Sequence, residues 1–221
     1  MTRLLSTFIR FPPRLSHPAI SKAAEVLPVL DQLHRLEVSG THRPTVEVRL
    51  STSHCEEGSY RVRTGAPDLP ERIFISRNAS WPRLTFLHEV AHYLDNQWMH
   101  PLKQGFASTY DDDFLLIKSI WNATATISNL RWLLNKYRAR MALRDRQIFV
   151  ETLLDNEIWA RCYSQWAVMR SDNYVILGEL ENALKTVGSL AGHNYTIQWP
   201  AKEFTPLAEA VDNLLKVKKL I

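Results

Sequence analysis

Ser80-Trp-Pro-Arg-Leu-Thr-Phe-Leu-His-Glu-Val-Ala-His-Tyr-Leu-Asp95 decides how this chain is read. Ser80 is a good helix N-cap, and Pro82 falls in the first turn, where its missing N–H costs nothing. A helix is predicted from there to about Trp98, closed off by Pro101 and Gly105. Residues four apart on a helix share a face, so His88 and His92 point the same way and Glu89 projects beside them. Leu87, Val90, Ala91 and Leu94 are uncharged neighbours that would bury the helix around this polar trio. Two imidazoles on one face can reach one metal ion, and the glutamate can reach a metal-bound water without occupying the metal. The plainer alternative is a pair of structural histidines satisfied by hydrogen bonds. It does not account for the glutamate between them.

Upstream, the periodicity changes twice. From Ser21 to about Val38, apolar residues recur at helical spacing (Ala23, Val26, Leu27, Leu30, Leu33, Leu36), which predicts a helix bent at Pro28. Val46-Glu-Val-Arg-Leu50 alternates strictly, Tyr60-Arg-Val-Arg63 more weakly, and Arg72-Ile-Phe-Ile75 follows the turn-rich stretch 65–70. Downstream, helices are predicted over about Asp113–Tyr137, Arg146–Met169, Asn173–Val187 and Pro206–Lys218, with an irregular stretch from Gly188 to Pro200. The expected class is α+β: an N-terminal helix, a small, mostly antiparallel three-stranded sheet, the histidine helix, and a mainly helical C-terminal half. Residues 21–221 are expected to form one domain, with sheet and histidine helix in 21–100 and the helical half in 101–221. Residues 1–20 are expected to form a flexible arm, although Arg3, Arg10, Arg14 and Lys22 without an acid until Glu25 would also suit a transit peptide.

Composition narrows the class. The chain has 221 residues, 45% hydrophobic and 23% charged, which excludes wholesale disorder. No apolar run approaches the roughly 20 residues that span a bilayer, so a membrane partner is not expected. Two distant cysteines, Cys55 and Cys162, read as reduced thiols in a cytoplasmic protein and cannot supply a cysteine-based zinc site. The net charge is +4, concentrated at Lys136, Arg138, Arg140, Arg144 and Arg146 and in the lysine-rich tail. No aromatic-and-basic recognition motif accompanies it, so nucleic acid is not the expected partner. Trp121, Trp132, Trp159 and Trp166 are expected in the core. Asp111-Asp112-Asp113 reads as helix capping rather than a calcium loop.

The H-E-x-x-H motif of His88–His92, with its uncharged flanks and preceding strand, resembles the zincin metallopeptidases, over about Arg72–Asp95. That resemblance implies a Zn2+ ion held by His88 and His92, Glu89 as the general base that activates water, and a third ligand from farther along. Asp95 and Trp98 stand where a metzincin would have glycine and histidine, which excludes that branch. A gluzincin takes a glutamate from a later helix. Glu157 is the best candidate: an acid among Leu153, Leu154, Ala160 and Arg161 is costly to bury unless paired or metal-bound. Asn156-Glu157 also resembles the start of the gluzincin third-ligand helix. Glu151, Asp155 and Asp95 remain rivals, Asp95 more naturally as an acceptor for a histidine N–H. The other reading of Glu157 is a surface residue paired with Arg161. A wider set, comprising Ile75–Trp81, the motif, Glu157–Trp166 and Trp199 through Leu214, is similar to metallopeptidase-like domains of phages and mobile elements. Some of those are attached to phage head-morphogenesis proteins.

The resemblance implies a zinc-dependent peptidase acting on a protein or peptide, with Tyr163, His193, Tyr195 or Arg161 as candidate donors to the oxyanion. The third strand, near Ile73–Ile75, could pair with an extended substrate. The competing expectation is a non-proteolytic structural or regulatory phage or mobile-element protein that keeps a zinc site, with phage assembly proteins as partners. A basic nucleic-acid-associated protein with a fortuitous motif is the third.

Overall fold

The structure is a computed structural model that describes residues 2–37, 44–52, 56–99 and 105–221. Cys55 and Pro101, and with them one thiol and one predicted helix stop, lie outside the described residues, as do His42, His54 and His100.

The sheet has four strands rather than three, and it is mixed rather than mostly antiparallel. Its order is β2 (Ile9–Arg10), β4 (Val46–Ser51), β6 (Ala66–Ser76), β5 (Gly58–Arg63). β4 runs parallel to both β2 and β6, and only β5 is antiparallel, to β6. The β5–β6 pair is a hairpin turned at Gly65, whose φ is +80°. Its register slips at Val62, opposite Pro70, where the proline has no N–H to give to the ladder. Val46, Val48, Ile73 and Ile75 send alternate side chains into the core. β6 is therefore an interior strand, and the sheet ends at β5.

The N-terminal residues join this architecture instead of forming an arm. β1 (Thr2–Arg3) pairs with β3 (Leu36–Glu37), β2 extends the main sheet, and Leu5, Phe8 and Ile9 are buried. The single bent helix expected from Ser21 is two helices, α1 (Pro18–Ala24) and α2 (Leu27–Leu33), and Pro28 starts the second one.

Helix α3 (Pro82–Gln97) carries the histidine motif. It packs on β5 and β6 on one side, on α1 on another, and on α8 (Asp155–Arg170) opposite the sheet. Almost every residue of α3 is buried, as expected of a helix enclosed on all sides. Its N-terminus is not capped by Ser80. The N–H groups of Arg83 and Leu84 both donate, at 3.0 Å, to the Glu179 carboxylate on α9 (Tyr174–Lys185). Ser80 is left to donate its N–H and hydroxyl to Glu57 at 2.6 and 3.0 Å.

The C-terminal half is helical, as expected, but more finely divided. Beyond the short α4 (Ala107–Tyr110), the first predicted helix splits into α5 (Leu115–Ala123) and α6 (Ala125–Tyr137) at Thr124, whose hydroxyl caps α6 by accepting from Ile127 N–H. The second splits into α7 (Leu143–Thr152) and α8 at Leu153–Leu154. The irregular stretch contains a hairpin, β7 (Gly188–Leu190) with β8 (His193–Tyr195). α10 (Ala201–Val217) begins before Pro206, which lies inside it. Trp121, Trp159 and Trp166 are core residues, whereas Trp132 is 42% exposed and packs edge-on against His193. The acidic run caps as expected: the Asp111 carboxylate accepts from Asp113 N–H, and both carboxylates pair with Lys218, which caps the end of α10. Cys162 is a buried free thiol. No helix among the described residues is long and apolar enough to cross a membrane.

Candidate metal centre

α3 presents His88 and His92 on the face turned to α8. The same ring nitrogen of each faces the centre, with Nε2 to Nε2 at 3.2 Å. Glu157, in the first turn of α8, closes the triangle: its Oε2 is 3.2 Å from His88 Nε2 and its Oε1 is 3.2 Å from His92 Nε2. These three residues could hold a metal ion, with one ligand atom from each lying within 4.8 Å of the others. Nδ1 of His92 is buried without a hydrogen-bond partner.

Glu89 is only 4% exposed and lies where β5 crosses α3. The Tyr60 backbone acts on it against burial, favouring the ionised form. The strand can come this close because residue 58 is glycine. A Cβ there would stand 2.6 Å from Thr85 Cγ2 and 2.9 Å from Glu89 Oε1.

Burial and charge act in opposite directions on the four side chains. Burial raises the Glu89 carboxyl above its ordinary range, more than the nearby His88 and His92 lower it. Burial would also raise Glu157, but hydrogen bonds from both histidines outweigh it and hold that carboxyl well below the usual range. Burial would lower His92, and the Glu157 hydrogen bond and charge outweigh it, so its affinity for a proton rises. The arrangement separates two carboxylates by role: one is held ionised among the histidines, the other is dry and ready to take a proton.

The centre opens into a cleft of about 800 Å³ bounded by β5, α3, α7, α8 and the β7–β8 hairpin. No protein-family model, curated protein or solved structure matches this chain. What the centre can do therefore rests on its own geometry.

The rivals for the third ligand are occupied elsewhere. Glu151 accepts from Gln147 on α7, Asp155 pairs with Lys118 at 2.8 Å, and Asp95 accepts from Ser108 N–H and hydroxyl at 2.7 and 2.5 Å. Burial raises the Asp95 carboxyl to about 6, and it makes no hydrogen bond to His92 Nδ1. Nor does Glu157 pair with Arg161. The Arg161 guanidinium, 4% exposed, donates to the backbone carbonyls of Glu157, Thr152 and Ile197. Burial lowers it to about 10.

Of the four candidate oxyanion donors, Arg161 and Tyr195 line the cleft. Tyr163 is committed to His34 at 2.7 Å, and His193 packs between Trp132 and Tyr137. Sequence reasoning missed Gly58, and it placed the available edge on β6. The weak alternation of residues 60–63 was the only signal of β5. Nothing local showed that β5 would be the strand crossing Glu89.

Proposed function

We infer that this chain is a zinc-dependent peptidase. The observation that carries the reading is the 3.2 Å approach of His88 Nε2 to His92 Nε2, each of them 3.2 Å from one of the two Glu157 carboxylate oxygens, with Glu89 buried beside them. Ligands of a tetrahedral zinc ion bound at 2.0–2.1 Å are separated by about 3.3 Å, and two imidazoles with one carboxylate make a recognised catalytic zinc set that keeps a fourth position open. When bound, zinc would polarise a carbonyl and lower the pKa of water to about 7.

The remaining work falls to side chains of this chain. Glu89, raised by burial, takes a proton from the attacking water and delivers it to the leaving amine. Glu157 stays ionised and would complete the ligand set with His88 and His92. Gly58, by lacking a side chain, lets β5 close over Glu89. The outer edge of β5, unpaired with another strand among the described residues, suits an extended peptide added as a further strand along the cleft.

The test is zinc content and peptide cleavage of the wild type beside Glu89→Gln. Zinc retained in both, with cleavage abolished in the variant, is the expected result. Cleavage by Glu89→Gln refutes the mechanism. Zinc in the wild type without hydrolysis of any peptide favours the structural or regulatory protein instead.

A further inference from the structure

Part of the cleft is walled by apolar side chains. Leu84 on α3, Leu130 on α6, Phe149 on α7, Ala183 on α9 and Tyr195 on β8 all line it. Their neighbourhood is fixed by contacts already in the fold. Glu179 ties α9 to the N–H groups of Arg83 and Leu84, and Ala183 follows Glu179 by one turn on the same face. That carboxylate is also spent on the Arg83 guanidinium at 2.7 Å. The Tyr195 ring meets Phe149 edge-on at 4.9 Å, and α6 packs on β8.

Tyr195 is held in place by an absence. A Cβ on Gly188 would come within 2.7 Å of three of its ring carbons. Gly188 does not have a positive φ, so its backbone does not call for glycine. The ring does.

Position along the cleft follows from helix geometry. His88 is four residues beyond Leu84, a rise of about 6 Å. An extended peptide advances about 3.3 Å per residue. A peptide whose carbonyl lies at the two histidines and which runs along α3 therefore brings a side chain about two residues away to this compartment.

We propose that the compartment is the specificity pocket of the cleft, that it takes a large apolar side chain about two residues from the scissile bond, and that Tyr195 seated on Gly188 sets its size. The proposal rests on the peptidase reading for the word scissile, but its binding component is measured separately.

Acetylated, amidated hexapeptides with Phe, Leu, Ala or Gly at one central position are titrated calorimetrically into zinc-loaded Glu89→Gln protein. The Phe and Leu peptides should bind tenfold or more tightly than the Gly peptide, the gain from burying a large apolar side chain. Gly188→Val drives the Tyr195 ring into the compartment and should favour Ala over Phe. Leu130→Trp fills it from the opposite wall and should do the same if Gly188→Val does not fold. Zinc content and unfolding temperature identify folded variants. The proposal is overturned by equal binding of all four peptides, by no binding of the Phe and Leu peptides at millimolar concentration, or by an order of preference that folded filling variants leave unchanged. Wild-type cleavage of the same peptides separates the two readings. Cleavage without side-chain preference removes the pocket and leaves the peptidase. Ordered binding without cleavage removes the peptidase and leaves the pocket.

Discussion

Gly58→Ala tests whether β5 and α3 truly meet over Glu89. The new methyl would lie 2.6 Å from Thr85 Cγ2, 2.9 Å from Glu89 Oε1 and 3.0 Å from the Phe74 carbonyl oxygen. Carbon contacts settle at about 3.5–4.0 Å, so roughly 1 Å of displacement must be found. Thr85 can turn its methyl aside. The Phe74 carbonyl belongs to the β5–β6 ladder and Glu89 is buried, so the displacement falls on the strand or on Glu89, the proposed base. Overpacking of this kind costs about 1–3 kcal/mol. For a chain of this size each kcal/mol lowers the unfolding midpoint by about 2–4 °C, so a fall of roughly 2–12 °C is expected. A base displaced by about 1 Å should lose on the order of 100-fold in kcat, while zinc content stays at the wild-type level because no ligand has moved. Gly178→Ala is the control of opposite sign. It lies inside α9 with nothing within 4 Å of a new Cβ, and should gain about 0.5–1 kcal/mol. Calorimetry and peptide kinetics on both variants decide the matter. If Gly58→Ala melts and turns over like the wild type, the close approach is not part of the molecule and the account of how Glu89 is positioned fails.

The ligand assignment predicts that His88→Ala and Glu157→Ala each weaken zinc binding by more than about 100-fold, beyond the loss of an outer hydrogen-bonding partner. Glu151→Ala and Asp155→Ala should leave it intact, as read by competition with a chromophoric chelator. A second prediction concerns acid stability. Burial lowers His34 from 6.5 to about 4, its Nδ1–H donating to the Leu220 carbonyl and its Nε2 accepting from the Tyr163 hydroxyl. The folded-state pKa lies below the unfolded one, so this contribution is fully present above pH 6.5 and is lost as pH falls toward 4, amounting to about 3 kcal/mol. Asp95, raised to about 6, acts oppositely as it protonates, so the His34 component is read from the difference between the wild type and His34→Gln. Denaturant titrations from pH 7 to 4 should show a shallower loss in the variant, and parallel curves would refute the assignment.

What was legible in the sequence is what is local. Pro82, the spacing of His88 and His92, and the apolar residues around them all lie within one helix, and that helix forms where the pattern places it. The sheet was harder to read because its order depends on pairing between distant segments. Strict alternation in Val46–Leu50 marks a strand, but not that β4 will sit between β2 and β6 and run parallel to both. Residues 2–10 carry too few residues per element for periodicity to register, although Leu5, Phe8 and Ile9 are fully committed to the core. Ser80 was read as a cap from its residue type, whereas the α3 N–H groups are taken by a glutamate 95 residues away.

Glu157 shows how a legible residue can depend on an illegible one. Its apolar same-face neighbours marked it as an acid needing a partner, and Arg161, one turn on, was the obvious rival to a metal. What separates the two is the break at Leu153–Leu154, which no residue in the stretch announces. Ending α7 there leaves its last carbonyls without helical partners, and Arg161 donates to one of them, at Thr152, as well as to Ile197 and to the backbone of Glu157 itself. With its donors engaged by carbonyls, the guanidinium does not reach the Glu157 carboxylate, and both carboxylate oxygens remain for the histidines. The break between α7 and α8 therefore frees the Thr152 carbonyl that takes one Arg161 nitrogen, while the Glu157 carboxylate stays with His88 and His92.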